Sequence, residues 1–155
     1  MIRKANANDI DGLIKLLYQV HAVHSKGRPD IFKIGGIKYQ KKEIEDILEN
    51  PDTPVFVYLN DENNILGYAF CEIKITKESA SLQGRKTLYI EDLCVDENAR
   101  GQHIGSLLFE YVRNFAKEGK CDSITLNVWE LNDGARKFYE KCGLKPLKTV
   151  MEQIL

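Results

Sequence analysis

The sequence lacks three features that would quickly assign it to a class of protein. Lysine and arginine number 22 against 23 aspartate and glutamate residues, so the formal charge is -1 and no broad positive field for nucleic acid is present. No apolar stretch approaches the roughly 18 residues of a membrane span. The opening residues MIRKANANDIDGL contain no apolar core of a secretion signal. We therefore expect neither a nucleic-acid partner nor a membrane partner.

Closely spaced cysteines are also missing. No two of the four cysteines form a CxxC pair, and they stand far apart at Cys71, Cys94, Cys121 and Cys142. This spacing is typical of free thiols in a reducing compartment, which predicts a cytoplasmic protein. His21 and His24 lie three residues apart on a predicted helix, but no third ligand accompanies them. The sequence thus predicts no metal site.

The composition that is present is that of an ordinary globular chain, with 43% hydrophobic and 29% charged residues. No repeat, low-complexity tract or linker interrupts it, so we expect one domain over residues 1–155. Periodicity and turn residues predict elements in the order β-α-α-β-β-β-α-β-α-β. The predicted helices begin near residue 9 and cover 39–49, 104–117 and 133–141, and the longer predicted strands cover 55–59, 65–75 and 87–95.

The order of these elements predicts the fold class. The first half forms a hairpin, which requires antiparallel strands, and the second half contains a β-α-β unit, which requires a parallel pair. The residues LKPLKTVMEQIL are expected to add a final strand or strand pair. We therefore predict an α/β (α+β) fold with a mixed, mostly antiparallel central sheet of about 6–7 strands flanked by helices.

A glycine-containing turn, CVDENARGQHIGSLL, connects the third long strand to the following helix. Glycine allows close approach of a ligand to the backbone, and the free amides of a helix start attract anions. Arg100 adds a full positive charge. A P-loop is excluded because no lysine follows Gly105, and the GxGxxG dinucleotide fingerprint is absent. The turn alone leaves two interpretations open, a pyrophosphate cradle or a flexible helix start.

The turn resembles the [Q/R]-x-x-G-x-[G/A] motif of the GNAT superfamily of acyltransferases, which use acetyl-coenzyme A. The matching residues are Arg100, Gly101, Gln102, His103, Ile104 and Gly105. His103 departs from the motif because it stands at the first of its glycines. We expect a negative φ at His103, which a side chain tolerates, and a backbone N–H that still donates.

A second stretch, VWELNDGARKFYEKCGLKP, resembles the same superfamily at the spacing that its members keep. The corresponding residues are Asn132, Phe138, Tyr139, Gly143 and Leu144. The two stretches together identify the chain as a member of the superfamily over roughly residues 87–147. The resemblance implies the acyl-CoA N-acyltransferase fold and N-acetyl transfer from acetyl-CoA.

The resemblance also implies how the coenzyme is held. The phosphates are expected to meet the turn from Arg100 to Ser106. The pantetheine arm is expected to pair with a bulged strand. The implied cofactor residues are Leu93, Cys94, Val95, Arg100, Gly101, Gln102, His103, Ile104, Gly105, Ser106, Asn132, Ala135 and Tyr139.

Two side chains are candidates for proton transfer. Tyr139 is the implied general acid for the leaving thiolate, because a phenol and a thiol have similar pKa values. A core tyrosine is the alternative interpretation. Glu91 is the candidate base, and a surface carboxylate is its alternative. Strand alternation predicts that only one of Glu91 and Asp92 faces the cleft, and we rank Asp92 lower.

The acceptor is the least determined part of the prediction. The resemblance implies that the first helix and its loop line the acceptor site, so the candidate substrate residues are Arg28, Phe32, Glu91 and Trp129. The loop could equally be a flexible surface loop, and Trp129 a core residue. The Glu-Asp pair looks like the polyamine (diamine) branch, so a small cationic amine is our lead acceptor. Aminoglycosides, amino acids and protein N-termini or lysines stay open, as does a non-catalytic acyl-CoA sensor. Family habit also implies a possible homodimer.

Overall fold

The computed structural model describes residues 1–155 and contains one five-stranded sheet. The strands are β1 (Ile2–Lys4), β2 (Val55–Leu59), β3 (Ile65–Thr76), β4 (Arg85–Val95) and β5 (Ser123–Leu126). The helices are α1 (Ile10–Gly27), α2 (Lys41–Glu49), α3 (Ile104–Glu118) and α4 (Asp133–Lys141). None of the helices combines the length and apolar character needed to cross a bilayer.

The strands lie in the order β1-β2-β3-β4-β5, and every pair is antiparallel except β4 with β5, which is parallel. The predicted mixed and mostly antiparallel sheet is therefore confirmed. The predicted strand count is too high, because residues 144–155 form no strand. A strand requires a partner for its backbone groups, and residues 145–155 make no backbone hydrogen bond within the chain.

Two apolar layers cover the sheet because each helix turns one stripe of side chains toward it. One layer lies under α1 and α2, where Leu13, Leu17 and Ile44 pack with Tyr68 and Phe70 of β3. The other layer lies under α3 and includes Ala69, Leu88, Ile90, Phe109 and Val112. The sheet is thus covered on both faces, and β4 lies between the two layers.

A β-bulge interrupts β4 at Glu91. Phe70 of β3 pairs with Asp92, whereas the next residue, Cys71, pairs with Ile90, so Glu91 is the extra residue. An inserted residue resets the alternation of side chains between the two faces. Ile90 faces α3 before the bulge, and Leu93 packs with the same side after it.

The parallel pair opens at one end. The pairing of β4 with β5 stops at Ile90 and Leu126, while β4 continues to Val95 and leads to the glycine turn. Beyond Ile90, one edge of β4 therefore lacks a strand partner. This opening lies between the bulge and the start of α3.

Gly67 of β3 fixes how closely α3 approaches the opening. A Cβ built at Gly67 would lie 2.9 Å from the carbonyl oxygen of Cys94 and 2.9 Å from Leu108 Cδ1. Real Cβ atoms do not approach other heavy atoms so closely, so the β4 backbone at Cys94 and the Leu108 side chain of α3 would both have to shift. A side chain at residue 67 is therefore excluded by the β4 backbone and by the buried Leu108 side chain.

We expect Gly67→Ala to lower the free energy of unfolding by about 1–3 kcal/mol through overpacking. Gly134→Ala is the matched control because a Cβ there meets nothing within 4 Å. Alanine should stabilise that exposed helical position by roughly 0.5–1 kcal/mol. Urea unfolding of both variants measures the difference. Equal stability of the two variants would contradict the close approach of α3.

Candidate active site

The glycine turn forms one end of the candidate site. A cavity of about 240 Å³ is lined by Val95, Ala99, Arg100, Gly101, His103, Ile104, Gly105, Ser106 and Phe138. The first intrahelical bond of α3 runs from the amide of Leu107 to the carbonyl of His103. The amides of residues 104–106 therefore have no acceptor within the helix and lie at the wall of this cavity. With Arg100 beside them, they form a cradle suited to an anion.

Two residues of the turn adopt left-handed backbone conformations. Gly101 has φ of 82° and His103 has φ of 60°. The expectation of a negative φ at His103 is therefore wrong. The reason is that the chain reverses direction just before the helix axis begins, and this reversal requires the conformation that a glycine adopts most easily. His103 is exposed, and its side chain does not cap the helix that follows it.

Gly105 faces α4 across the cradle. A Cβ at Gly105 would lie 3.3 Å from the ring of Phe138, which is tighter than an ordinary van der Waals contact. At the start of α4, the side-chain oxygen of Asn132 accepts a hydrogen bond from the amide of Ala135 at 3.1 Å. Asn132 therefore caps α4 and keeps its amide nitrogen free, because only its oxygen is used.

The bulge forms the other end of the opening. Val95 and Glu91 are four strand residues apart, which is about 13 Å at about 3.3 Å per residue. A ligand with phosphates in the cradle and an extended arm along β4 would thus bring the end of its arm near Glu91. The three predicted arm-binding residues, Leu93, Cys94 and Val95, all lie on this open stretch of β4.

Both carboxylates of the Glu-Asp pair lie on the side of the sheet covered by α1. Asp92 Oδ2 accepts a hydrogen bond of 2.8 Å from the hydroxyl of Tyr68, a residue of the α1-side core. Glu91 pairs with Lys38, which lies between α1 and α2. The prediction that strand alternation lets only one of the two carboxylates face the cleft is therefore wrong. The inserted residue at the bulge is the cause.

Asp92 ranks low from the sequence, yet the structure surrounds it with titratable groups. Burial raises the pKa of Asp92 above its ordinary value, although Lys38, the Tyr68 hydroxyl and His24 each oppose this shift. Tyr139 lies near enough that the charge of Asp92 contributes to its raised pKa. The only sequence signal for Asp92 is a carboxylate in a half-buried strand.

Tyr139 is half-buried on α4 beside Phe109 and Phe138, with ring centroids 6.4 and 5.1 Å away. Burial, followed by the charge of Asp92, raises its pKa above the ordinary value. Tyr139 therefore keeps its proton at neutral pH. No side-chain hydrogen bond contributes to this shift, so the hydroxyl proton is available to a ligand.

Lys38 occupies the bulge itself. Its Nζ donates a hydrogen bond of 3.1 Å to the backbone carbonyl of Glu91 and lies 3.3 Å from Glu91 Oε1. No pattern in the sequence predicts this contact, because Lys38 comes from the loop between α1 and α2, which is far from β4 in sequence. The contact places a primary ammonium group on an alkyl chain at the far end of the opening.

An aromatic cluster stands beside these charges. Phe32 stacks on His24 at 5.0 Å between ring centroids and meets Trp129 edge-on at 5.2 Å. Burial lowers the pKa of His24, and its Nδ1 is buried without a hydrogen-bond partner. The predicted substrate residue Arg28 lies at the rim, where its guanidinium is held by Asp30 and Glu152 at 2.7 and 2.9 Å.

Two thiols are buried in the sheet, Cys94 on the side of α1 and Cys71 on the side of α3. Burial, followed by the charge of Asp92, raises the pKa of Cys94 to about 12, and its Sγ lies 3.7 Å from the carbonyl oxygen of Val95. Burial alone raises the pKa of Cys71 still further. All four cysteines are free. No three or more His, Cys, Asp or Glu residues are grouped so that they could hold a metal ion.

A strand edge that opens beside a glycine turn is the arrangement of acyltransferases that bind coenzyme A thioesters. The profile described as the Acetyltransferase (GNAT) family matches residues 18–144, and the chain belongs to this family. Its members use acetyl-CoA. The predicted superfamily is thereby confirmed, whereas the polyamine branch is not singled out.

Known proteins resemble the chain to different degrees. "Probable N-acetyltransferase san" of Drosophila melanogaster is 34% identical over 114 residues, which cover 73% of this chain and 58% of that protein. The chain thus spans about three fifths of this curated relative. The BH1408 protein of Bacillus halodurans, solved as a mutant, is 34% identical with a TM-score of 0.97 and coverage of 100% and 99%. Aminoglycoside N-acetyltransferase AAC(6')-Iy, solved with CoA, shares the fold at a TM-score of 0.71, 16% identity and coverage of 100% and 98%.

We expect Gly101→Ala and His103→Gly to change stability in opposite directions. Alanine at Gly101 should cost about 1–2 kcal/mol of backbone strain, because the φ of this residue is positive. No steric clash adds to this cost, since a Cβ there meets no other atom within 4 Å. Glycine at His103 should relieve similar strain, partly offset by its greater freedom in the unfolded chain. Urea unfolding measures both signs. Coenzyme A affinity by calorimetry should fall for Gly101→Ala and stay unchanged for His103→Gly. Loss of affinity in His103→Gly would mean that the imidazole itself binds the cofactor.

We expect Asp92→Asn to make the protein more stable at neutral pH. A carboxyl whose pKa is raised by folding binds more protons in the native state, so stability falls as pH rises from the ordinary aspartate pKa to the raised value. The amide removes this loss and still accepts from Tyr68. Thermal melts from acid to neutral pH should therefore show a flatter profile in Asp92→Asn. A profile parallel to that of the wild type would contradict the shift.

Proposed function

We propose that residues 1–155 form one N-acetyltransferase domain that moves the acetyl group of acetyl-CoA to a primary amine. The transfer occurs by direct attack within a ternary complex. The observation that carries this proposal is the bulge at Glu91, which turns two carboxylates toward the same side at the end of the open strand edge. An amine acceptor needs a group that attracts its cationic form and then takes its proton.

The proposed cofactor site follows the opening from the cradle to the bulge. The amides of residues 104–106 and Arg100 hold the phosphates, and Leu93, Cys94 and Val95 offer backbone groups to the pantetheine arm. Asn132 and Ala135 line the opposite side at the start of α4. A backbone amide of the open strand edge then polarises the thioester carbonyl as an oxyanion donor.

The proposed chemistry uses one proton acceptor and one proton donor. The amine nitrogen attacks the thioester carbon, so that the C–N bond forms and the C–S bond breaks. Glu91 takes the proton of the amine, directly or through water, with Asp92 beside it. Tyr139 gives its proton to the departing thiolate. Tyr139 enters this step protonated, because burial and the charge of Asp92 raise the pKa of its hydroxyl above the ordinary value.

We propose a small cationic amine of the polyamine type as the lead acceptor. Lys38 supports this choice, because its alkyl ammonium already fits against Glu91 and models the bound acceptor. Phe32 and Trp129 offer aromatic faces that attract cations. The guanidinium of Arg28 is already paired with Asp30 at the rim of the site. Arg28 therefore affects the choice of substrate only through the position of its loop. Aminoglycosides, amino acids and protein amines remain the alternatives, and four free thiols support a cytoplasmic location.

A thiol-release assay with a panel of amines tests the proposal. The panel contains a diamine, a polyamine, an aminoglycoside, a free amino acid and a lysine peptide. We expect the highest kcat/KM with the diamine or polyamine, because an alkyl ammonium can take the place that Lys38 holds against Glu91. Turnover of the aminoglycoside or the peptide alone would replace the lead acceptor. Absence of turnover, with a coenzyme A-dependent rise in melting temperature, would favour the sensor alternative.

Within the same assay, Tyr139→Phe should lower kcat by about 10²-fold or more, as expected for loss of a general acid. The KM for acetyl-CoA should change little because the ring is retained. Tyr111→Phe is the matched control, since Tyr111 lies on α3 against Phe56 and away from the site. Equal kcat in the two variants would remove Tyr139 from the acid role.

A further inference from the structure

Lys38 is held at the bulge by the residue that follows it. Tyr39 packs its ring on Phe70 of the α1-side core, with ring centroids 5.4 Å apart. The Nζ of Lys38 lies 5.5 Å from the centroid of the same tyrosine ring, within the range of a cation–π attraction. Burial, followed by the charges of Glu91 and Asp92, raises the pKa of Tyr39, because its ring stands near both carboxylates. The base of the Lys38 side chain is therefore fixed over the bulge.

Two other lysines with ion pairs are placed differently. Lys42 and Lys137 each pair with an aspartate of their own helix, and their side chains are 78% and 73% exposed. The side chain of Lys38 is 36% exposed and reaches from the α1–α2 loop to Glu91 of β4. Exposure alone would make Lys42 and Lys137 the easier targets of a reagent in solution. A reaction that prefers Lys38 must therefore occur at the bulge.

The contacts of Lys38 Nζ are those of an amine beside its base. The nitrogen lies 3.3 Å from Glu91 Oε1 and donates a hydrogen bond of 3.1 Å to the Glu91 carbonyl. A lysine ammonium becomes a nucleophile when it loses a proton, which a neighbouring carboxylate can take. Catalytic contacts of this length commonly tighten when the substrates are bound. Lys38 therefore offers the same functional group, against the same carboxylate, as the proposed acceptor.

We propose that Lys38 is a modification site and that the protein acetylates it with its own bound acetyl-CoA when no other amine is present. This inference rests on the proposed function, because it uses the thioester that the cofactor arm brings near Glu91. Nζ gives one proton to Glu91 and attacks the thioester carbon, so that the C–N bond forms and the C–S bond breaks. Tyr139 protonates the departing sulfur and regains a proton from the nitrogen. The products are acetylated Lys38, coenzyme A and one proton released to solvent.

The reaction is intramolecular and ends after one turnover. The nucleophile and the thioester belong to one complex, so no encounter between two protein molecules is needed. The product amide has no basic nitrogen and no positive charge, so Lys38 cannot react again and its ion pair with Glu91 is lost. An amine acceptor that binds at Glu91 must displace Lys38 and should therefore protect it from acetylation.

Peptide mass spectrometry of the chain after incubation with acetyl-CoA, without added amine, tests the proposal. We expect Lys38 to be acetylated at least about tenfold faster than Lys42 in the same sample, at a rate independent of protein concentration. Tyr139→Phe should slow the reaction of Lys38 and leave that of Lys42 unchanged, because Lys42 reacts without the site. Equal rates at the two lysines of the wild type would overturn the proposal. So would a Lys38 rate that rises with protein concentration or that is unchanged in Tyr139→Phe.

The amine panel, added in excess, gives a second readout and separates this inference from the proposed function. Slower acetylation of Lys38 in the presence of the amine that is turned over, with Lys42 unaffected, would support a shared acceptor position. Turnover of an amine without preferential acetylation of Lys38 would overturn this inference and leave the proposed function in place. Absence of both reactions would overturn both. Preferential acetylation of Lys38 that the amine does not slow would contradict the position at Glu91.

Discussion

A single extra residue in β4 is the constraint on which the rest of the site depends. Without the bulge, Glu91 and Asp92 would face opposite layers, and one carboxylate would be driven into the apolar packing under α3. With the bulge, both carboxylates lie on the α1 side of the sheet, and the side chain of Leu93 lies on the α3 side. The bulge also coincides with the end of the parallel pairing at Ile90, so the sheet opens where its strand bends. One local irregularity thus places both carboxylates at the opening.

The buried carboxylate shows how stability and chemistry oppose one another here. Asp92 is desolvated and destabilised as an anion, and this cost is offset by the Tyr68 hydroxyl and by the nearby Lys38. The same negative charge acts on Tyr139 and His24. A neutral side chain in place of Asp92 would make the fold more stable. It would also remove the negative charge that acts on Tyr139 and His24. Strain of this kind is characteristic of functional positions.

Much of the fold is readable from the sequence because its patterns are local. The strand 55–59 and the helix beginning at residue 104 agree with the structure, since periodicity and turn residues specify them. The bulge is not readable, because it depends on the register between β3 and β4, which distant residues fix. The contact of Lys38 with Glu91 is not predictable either, because it also joins residues that are distant in sequence. The predicted final strand is absent, because a strand requires a partner for its backbone groups and sequence pattern alone does not identify one.

Burial of Cys94 has a consequence for how the acyl group can travel. A thioester is vulnerable to any neighbouring thiolate, which would capture the acyl group as an enzyme-bound thioester and release the coenzyme A thiolate. With the pKa of Cys94 raised to about 12, almost none of its sulfur is ionised at neutral pH, and Cys71 is more strongly shifted. Since thiolate rather than thiol is the nucleophile, both sulfurs beside the opening are inert. The protein can therefore hold a reactive thioester without consuming it, and the thiols of Cys71 and Cys94 should likewise resist alkylation and oxidation while the core is folded.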